Sequence, residues 1–284
     1  MESSARLPFA VFKVIVNCGR CEEFIGNCLG SLRRQTVTGW QAFVTIDRRG
    51  DATLQRALEA RDGDERIDIA VNRRRLYPMR NLVRAIDRCG AEPEDVIVVL
   101  DGDDWLIDDR ALEIIAAAYE ESDCWVTYGS WITDRRDYRD RHPPYPDDTI
   151  DFRESQWLGT AVRTWKKWLF DRIDRRDFRD EQGRWLRVTE DLACMFPLLE
   201  MATTRRARHI PEPLMFYNLG SHHDPGRRIA SEAIRNAEWL RSRRRYEAVD
   251  GRMNLERRTQ NEELRNGTEP GGSTSKFFIL RSAF

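Results

Sequence analysis

Lysine is nearly missing from this chain. Of its 47 basic residues only Lys13, Lys166, Lys167 and Lys276 are lysines, and the other 43 are arginines. Histidine is rare as well, with His142, His209, His222 and His223 the complete set, so a histidine-rich metal centre is excluded. No apolar run approaches the roughly 18 to 20 residues of a membrane-spanning helix. The opening MESSARLPFAVFKVIVNC carries no clear signal peptide, and its short apolar part reads as a strand. Six cysteines (Cys18, Cys21, Cys28, Cys89, Cys124 and Cys194) are scattered along the chain. That distribution fits reduced thiols in a cytoplasmic protein better than a disulfide framework. Cys18 and Cys21 make a CxxC pair, but no second pair completes a zinc site. There is no internal repeat.

What remains is a 284-residue chain, 40% hydrophobic and 33% charged. It is polar enough for water, apolar enough for a core, and long enough for one large domain or two small ones. The net charge of −1 hides an asymmetry. Residues 91–151 hold 18 acidic and 5 basic residues, a net of −13, whereas 205–258 hold 13 arginines against 7 acids, a net of +6. An arginine excess can follow coding bias. It also suits phosphate recognition, because the guanidinium fork is always charged and binds bidentately.

Strand and helix patterns alternate over the first 130 residues. FAVFKVIVNC, WQAFVTID, RIDIAVN, DVIVVLD and CWVTYGSWI read as strands. Between them, EEFIGNCLGSLRRQ places Phe24, Ile25, Cys28, Leu29 and Leu32 on one helical face. ATLQRALEARD and DDRALEIIAAAYEES are helical, and YPMRNLVRAIDRCG has Pro78 in its first turn and Gly90 past its end. The alternation predicts an α/β fold with a mostly parallel sheet covered by helices. Beyond it, TDRRDYRDRHPPYPDDTIDFRES reads as a loop. TAVRTWKKWLFDRI and EDLACMFPLLEMA read as helices, RHIPEPLMFYNLGSHHDPGRR as a short strand and a loop, and SEAIRNAEWLRSRRRYEAV as a basic terminal helix. From about Asn266 the chain reads as a flexible tail.

The densest chemistry is in VIVVLDGDDWLIDD, where an apolar strand runs into Asp101, Asp103 and Asp104. Ligands of open parallel sheets bind beyond the carboxyl ends of the strands. Two carboxylates spaced D-x-D around Gly102 can share a divalent cation such as Mg²⁺ or Mn²⁺, with substrate phosphates completing its shell. The plain alternative is a solvated acidic turn that caps the next helix.

Several blocks in order, VFKVIVNCGRCEEFIGNCLGSLRRQT, WQAFVTID, RNLVRAI, VIVVLDGDDWL, TEDLACMF and LMFYNLGSHH, resemble the family 2 glycosyltransferases of GT-A fold. The resemblance runs from about Phe9 to Arg228. It implies a Rossmann-like GT-A domain over 1–228; beyond it the residues read as an Arg-rich helical extension over 229–265 and a tail over 266–284. It further implies an inverting, metal-dependent transfer from a nucleotide-sugar, a UDP-sugar by the family's habit, to a hydroxyl acceptor. In that scheme Asp101 and Asp103 hold the cation (Mn²⁺ or Mg²⁺), and Asp101, Gly102 and Asp104 face the donor. Asp191 is the general base with Glu190 as partner or substitute, and His222 or His223 completes the metal shell. Arg227 and Arg228 hold the diphosphate, while Val16, Asn17, Asp47, Arg80 and Asn81 contact the nucleotide. Thr189 and the two acids after it would equally suit an ordinary capped helix start.

The chain departs from the family pattern at the nucleobase. Arg48 stands where a second acidic residue is usual, and VNCGR replaces the usual block after the first strand, so Cys18 takes the place of a stacking aromatic. Two basic runs, Arg73 to Arg75 and Arg241 to Arg245, read as solvated faces or as contacts for an anionic acceptor. DNA bearing hydroxymethylated pyrimidines, as in phage, is one such acceptor. A non-catalytic module that binds nucleotide-sugars or nucleic acid is the reading from another class.

Overall fold

The computed structural model describes residues 11–47, 50–133, 139–140, 143–147, 149–221 and 226–249. Its first half follows the alternation. Strand β1 (Phe12–Cys18) is buried at every position, as a strand covered on both faces must be. Helix α1 (Ile25–Arg33) turns Ile25, Cys28, Leu29 and Leu32 inward. Then come β2 (Trp40–Asp47), α2 (Thr53–Arg61), β3 (Ile67–Asn72), α3 (Tyr77–Arg88) and β4 (Val96–Asp101). Pro78 lies in the first turn of α3, and Gly90 beyond its end takes φ +59°, a left-handed value that glycine adopts without a Cβ penalty. Strands β3, β2, β1 and β4 are neighbours in that order, all parallel.

The second half turns the sheet over. It comprises β5 (Trp105–Leu106), α4 (Ala111–Ser122), β6 (Val126–Ile132), β7 (Arg139–Asp140), β8 (Arg163–Lys166), α5 (Lys167–Phe170), α6 (Glu190–Arg206), β9 (Ala207–Phe216) and α7 (Gly226–Ser242). The sheet continues β4-β8-β6-β9-β5, with β8 antiparallel to both β4 and β6 and with β6 parallel to β9. One expected helix is therefore a strand. In TAVRTWKKWLFDRI, residues Arg163 to Lys166 join the sheet and only Lys167 to Phe170 coil. Thr164 and Trp165 are β-formers, and each pairs with a partner on both sides, Val98 and Thr127 for Thr164, Ile97 and Val126 for Trp165. Two ladders outweigh the helical tendency of a segment this short.

The basic C-terminal helix ends at Ser242, and three arginines in and just after its last turn, Arg241, Arg243 and Arg245, bind the body. Arg241 donates to the carbonyls of Arg153 and Ser155. Arg243 pairs with Asp177 at 2.5 Å, and Arg245 with Asp151 at 3.1 Å and Glu154 at 2.8 Å. Beneath them lies a buried ion pair. Arg153 and Glu200 are 3% and 5% exposed, and they are fixed further by Arg153 donating to the Leu240 carbonyl and by Tyr246 N–H donating to Glu200.

Candidate active site

The turn after β4 is built around Gly102. Its N–H donates to the Asn17 carbonyl at 2.8 Å, and the Asp104 N–H closes the turn on the Asp101 carbonyl at 3.0 Å. A Cβ at residue 102 would lie 2.4 Å from Cys18 Sγ and 3.1 Å from Cys21 Sγ. That explains both the glycine and the buried cysteines, which form the floor of the turn. Leu106 N–H donates to Ser31 Oγ, and Trp105 stacks on Phe216 with centroids 4.3 Å apart. The chain thus presents Asp101, Asp103 and Asp104 from a fixed platform.

Crowding raises the proton affinity of Asp101 and Asp104. Asp101 is pushed up to about 6, first by burial and then by the charge of Asp103. Asp104 is pushed up to about 8 by burial and by Asp101, although the Asn218 N–H donates to it at 2.9 Å. Across a cavity of about 240 Å³ stands Asp191, in the first turn of α6. The same cavity is lined by Trp131, Trp157, Tyr217 and Arg163. At roughly 30 Å³ per water this is room for about eight waters, the scale of one sugar ring.

Arg163 is a functional candidate that sequence reasoning missed. Its guanidinium, 14% exposed, lies 3.6 Å from Asp191 Oδ2 and raises no hydrogen bond there. Its own pKa is raised by the charges of Asp191, Asp101 and Glu190 against the cost of burial. It is the cation between the two acidic groups. The alternation Arg-Thr-Trp-Lys was the only sequence signal for it. Glu190 is pushed up to about 8 by burial, then by Asp101 and Asp191. Thr189, at φ +67°, makes no side-chain cap to α6 and donates its hydroxyl to the Val188 carbonyl. The ordinary capped start is not what the chain adopts there.

Other expected residues fall as follows. Val16 is wholly buried within β1. Asn17 is 6% exposed, and among the described residues neither its side-chain oxygen nor its nitrogen has a partner, which is unusual for a buried amide. Asp47 is 4% exposed and fully engaged. Its Oδ1 accepts from Leu76 N–H and from the Asn72 amide, and its Oδ2 accepts from Tyr77 N–H, all at 2.9 Å. The Asn72 amide also donates to buried Asn81 at 2.8 Å, and half-buried Arg80 precedes it. Arg227 and Arg228 fall in the first turn of α7. His222, His223 and Arg48 lie outside the described residues. Among the described residues no three His, Cys, Asp or Glu side chains converge on a metal position.

A family model described as Glycosyl transferase family 2 matches residues 13–182. The chain belongs to that family. Its fold is the GT-A fold of family 2 glycosyltransferases, with an α/β sheet and seven helices among the described residues. The family match begins in β1 and ends before the α6 carboxylates. Solved structures share the architecture. S. aureus TarS 1–349 aligns at 18% identity and TM-score 0.56, covering 73% of this chain and 60% of that one. The same TarS piece in complex with UDP-GlcNAc aligns at 15% and 0.53, covering 78% and 61%. The mannosyltransferase PcManGT from Pyrobaculum calidifontis, in complex with GDP-Man and Mn²⁺, aligns at 13% and 0.57, covering 85% and 70%. This chain spans about three-fifths of the TarS 1–349 chain, and at these identities the likeness is one of fold. No curated protein sequence matches it.

Proposed function

We propose that this chain is an inverting glycosyltransferase that moves a sugar from a nucleotide-sugar to an acceptor hydroxyl. The carrying observation is the cavity of about 240 Å³ that brings Asp101 and Asp104 from one half of the chain to Asp191 from the other. Asp191 takes the proton of the acceptor hydroxyl. The acceptor oxygen then attacks the anomeric carbon opposite the bond to phosphate. That bond breaks with its electron pair leaving on the nucleoside diphosphate, and the configuration inverts. Asp191 rather than Glu190 is the better base, because Asp191 lines the cavity and Glu190 is not among its lining residues. Arg163 steadies the Asp191 carboxylate from the side. Trp131, Trp157 and Tyr217 shield the reacting sugar from water and offer faces for it to stack on.

The donor set of the turn fits a hard cation. Asp101 and Asp103 offer oxygens only, and their crowding calls for positive charge. These two residues would hold Mg²⁺ or Mn²⁺, which when bound supplies Lewis-acid neutralisation of the leaving diphosphate. The unpartnered Asn17 amide stands beside the same turn, where a nucleotide would meet it. Among nucleotide-sugars, a UDP-sugar is the first donor to try.

The test is a donor screen with Mn²⁺ or Mg²⁺ read by mass spectrometry, repeated with Asp191→Asn. The variant should lose transfer by about 10²- to 10⁴-fold while still binding donor. Undiminished transfer by Asp191→Asn removes Asp191 from the mechanism. A wild-type chain that binds donor without ever cleaving it would be a binding module instead.

A further inference from the structure

The turn between β3 and α3 carries features that the transfer chemistry leaves unused. Arg73, Arg74 and Arg75 are exposed in succession. Several exposed arginines elsewhere in the chain sit on carboxylates, as Arg33 does on Asp62, Arg56 on Glu59 and Arg110 on Glu113. Among the described residues Arg73 and Arg74 have no such partner. Next to them Tyr77 is held at φ +67°, a region that L-residues with a large side chain rarely adopt. Asp47 imposes it by binding the N–H groups of both Leu76 and Tyr77. Strain kept in place this way tends to mark a functional site.

The Tyr77 ring carries two guanidinium groups. Arg75 lies 4.0 Å and Arg187 4.5 Å from its centroid. Two like charges therefore stand no farther apart than those two distances laid end to end. Arg187 comes three residues before Glu190, so this cluster adjoins the α6 carboxylates in the chain. Among the described residues its Nε is buried without a hydrogen-bond acceptor, and Glu232 makes only a longer ion pair with it at 3.6 Å.

We propose that the Arg75–Tyr77–Arg187 stack, flanked by Arg73 and Arg74, is a phosphate-binding site distinct from the Asp101–Asp103 pair. A guanidinium fork carries parallel N–H donors, the geometry that phosphate oxygens take bidentately. The phosphate comes either from the donor's diphosphate or from an anionic acceptor, and only this choice of source rests on the function proposed above.

The experiment is calorimetric titration of the full chain, in metal-free buffer over a series of salt concentrations. The probes are UDP, GDP and short-chain inorganic polyphosphate. The proteins are wild type, Arg187→Gln, Arg187→Lys and the double variant Arg73→Gln/Arg74→Gln. At least one probe should bind Arg187→Gln about tenfold more weakly, the effect of losing one charge-assisted contact. In the double variant the slope of log affinity against log salt should fall by about one per arginine removed. Arg187→Lys should recover only part, because it keeps the charge and loses the fork. A loss confined to UDP and GDP assigns the site to the donor. A loss confined to polyphosphate assigns it to the acceptor. Affinities for all three probes within twofold of wild type, in both Arg187→Gln and the double variant, overturn the proposal. If Arg187→Gln melts early, the exposed double variant decides alone. Failure of the transferase reading shows separately, as polyphosphate binding by a chain that turns over no nucleotide-sugar with either metal.

Discussion

Gly102→Ala tests whether the turn that presents the carboxylates is fixed by packing. The new methyl would lie 2.4 Å from Cys18 Sγ, 3.1 Å from Cys21 Sγ and 3.3 Å from the Asn17 carbonyl oxygen. Non-bonded heavy atoms of this kind settle near 3.5–4.0 Å, so the turn and its floor must part by about an ångström. The turn cannot simply lift away, because Gly102 N–H is bonded to that same Asn17 carbonyl at 2.8 Å. Overpacking of a tight site costs about 1–3 kcal/mol, and the tethered backbone puts Gly102→Ala at the upper end, about 2–3 kcal/mol. Urea denaturation followed by tryptophan fluorescence reads this as a lower midpoint at unchanged slope. The decisive arm is a double-mutant cycle with Cys18→Ala, which removes the closest atom. If the clash is the cause, the two changes are non-additive and the double variant recovers about 1–2 kcal/mol. A cost for Gly102→Ala below about 0.5 kcal/mol, or strictly additive costs, would refute the packing account of the turn.

Two further outcomes follow from groups away from the turn. Glu200→Gln leaves Arg153 buried beside a weakened partner, and unfolding free energy should fall by about 3–5 kcal/mol; joint replacement by Arg153→Met and Glu200→Leu should recover much of it in the same urea assay. Glu190, raised from 4.5 to about 8 in the folded chain, holds its proton more tightly folded than unfolded. Stability is therefore lost as pH rises from 4.5 through about 8. In chelator, Glu190→Gln should match wild type near pH 4 and be the more stable of the two above pH 8, with melting temperature against pH as the readout.

Much of the architecture was legible because it rests on local pattern. Strands β1, β2 and β4 are apolar runs that the chain could hide only between two helical layers, and the Asp101–Asp104 turn announced itself by ending one of them. What stayed hidden depends on partners far along the chain. Thr164 and Trp165 form a strand because β4 and β6 flank them, and no window on TAVRTWKK contains either neighbour. Arg163 inherits its place between Asp101 and Asp191 from that same strand. Asp47 was read as a nucleotide contact, and its oxygens also accept from Asn72, Leu76 and Tyr77, 25 to 30 residues away, which no local window shows. The run Arg241 to Arg245 looked like a basic face, and three of its four arginines bind their own chain's carbonyls and carboxylates 66 to 94 residues away.

That last arrangement bears on the order in which the molecule assembles. Glu200 sits midway along α6, the helix that begins with Glu190 and Asp191. Its charge is neutralised by Arg153 from earlier in the chain and completed by Tyr246 from later. A chain emerging from the ribosome can lay down β1 to β4 with near neighbours, but α6 gains its full support only after residue 246 has been made. Contacts of such long reach form late and slowly. The nascent protein should hold β1 to β4 well before α6 is seated, and the carboxylates that begin α6 take their final place only once residue 246 has joined Glu200.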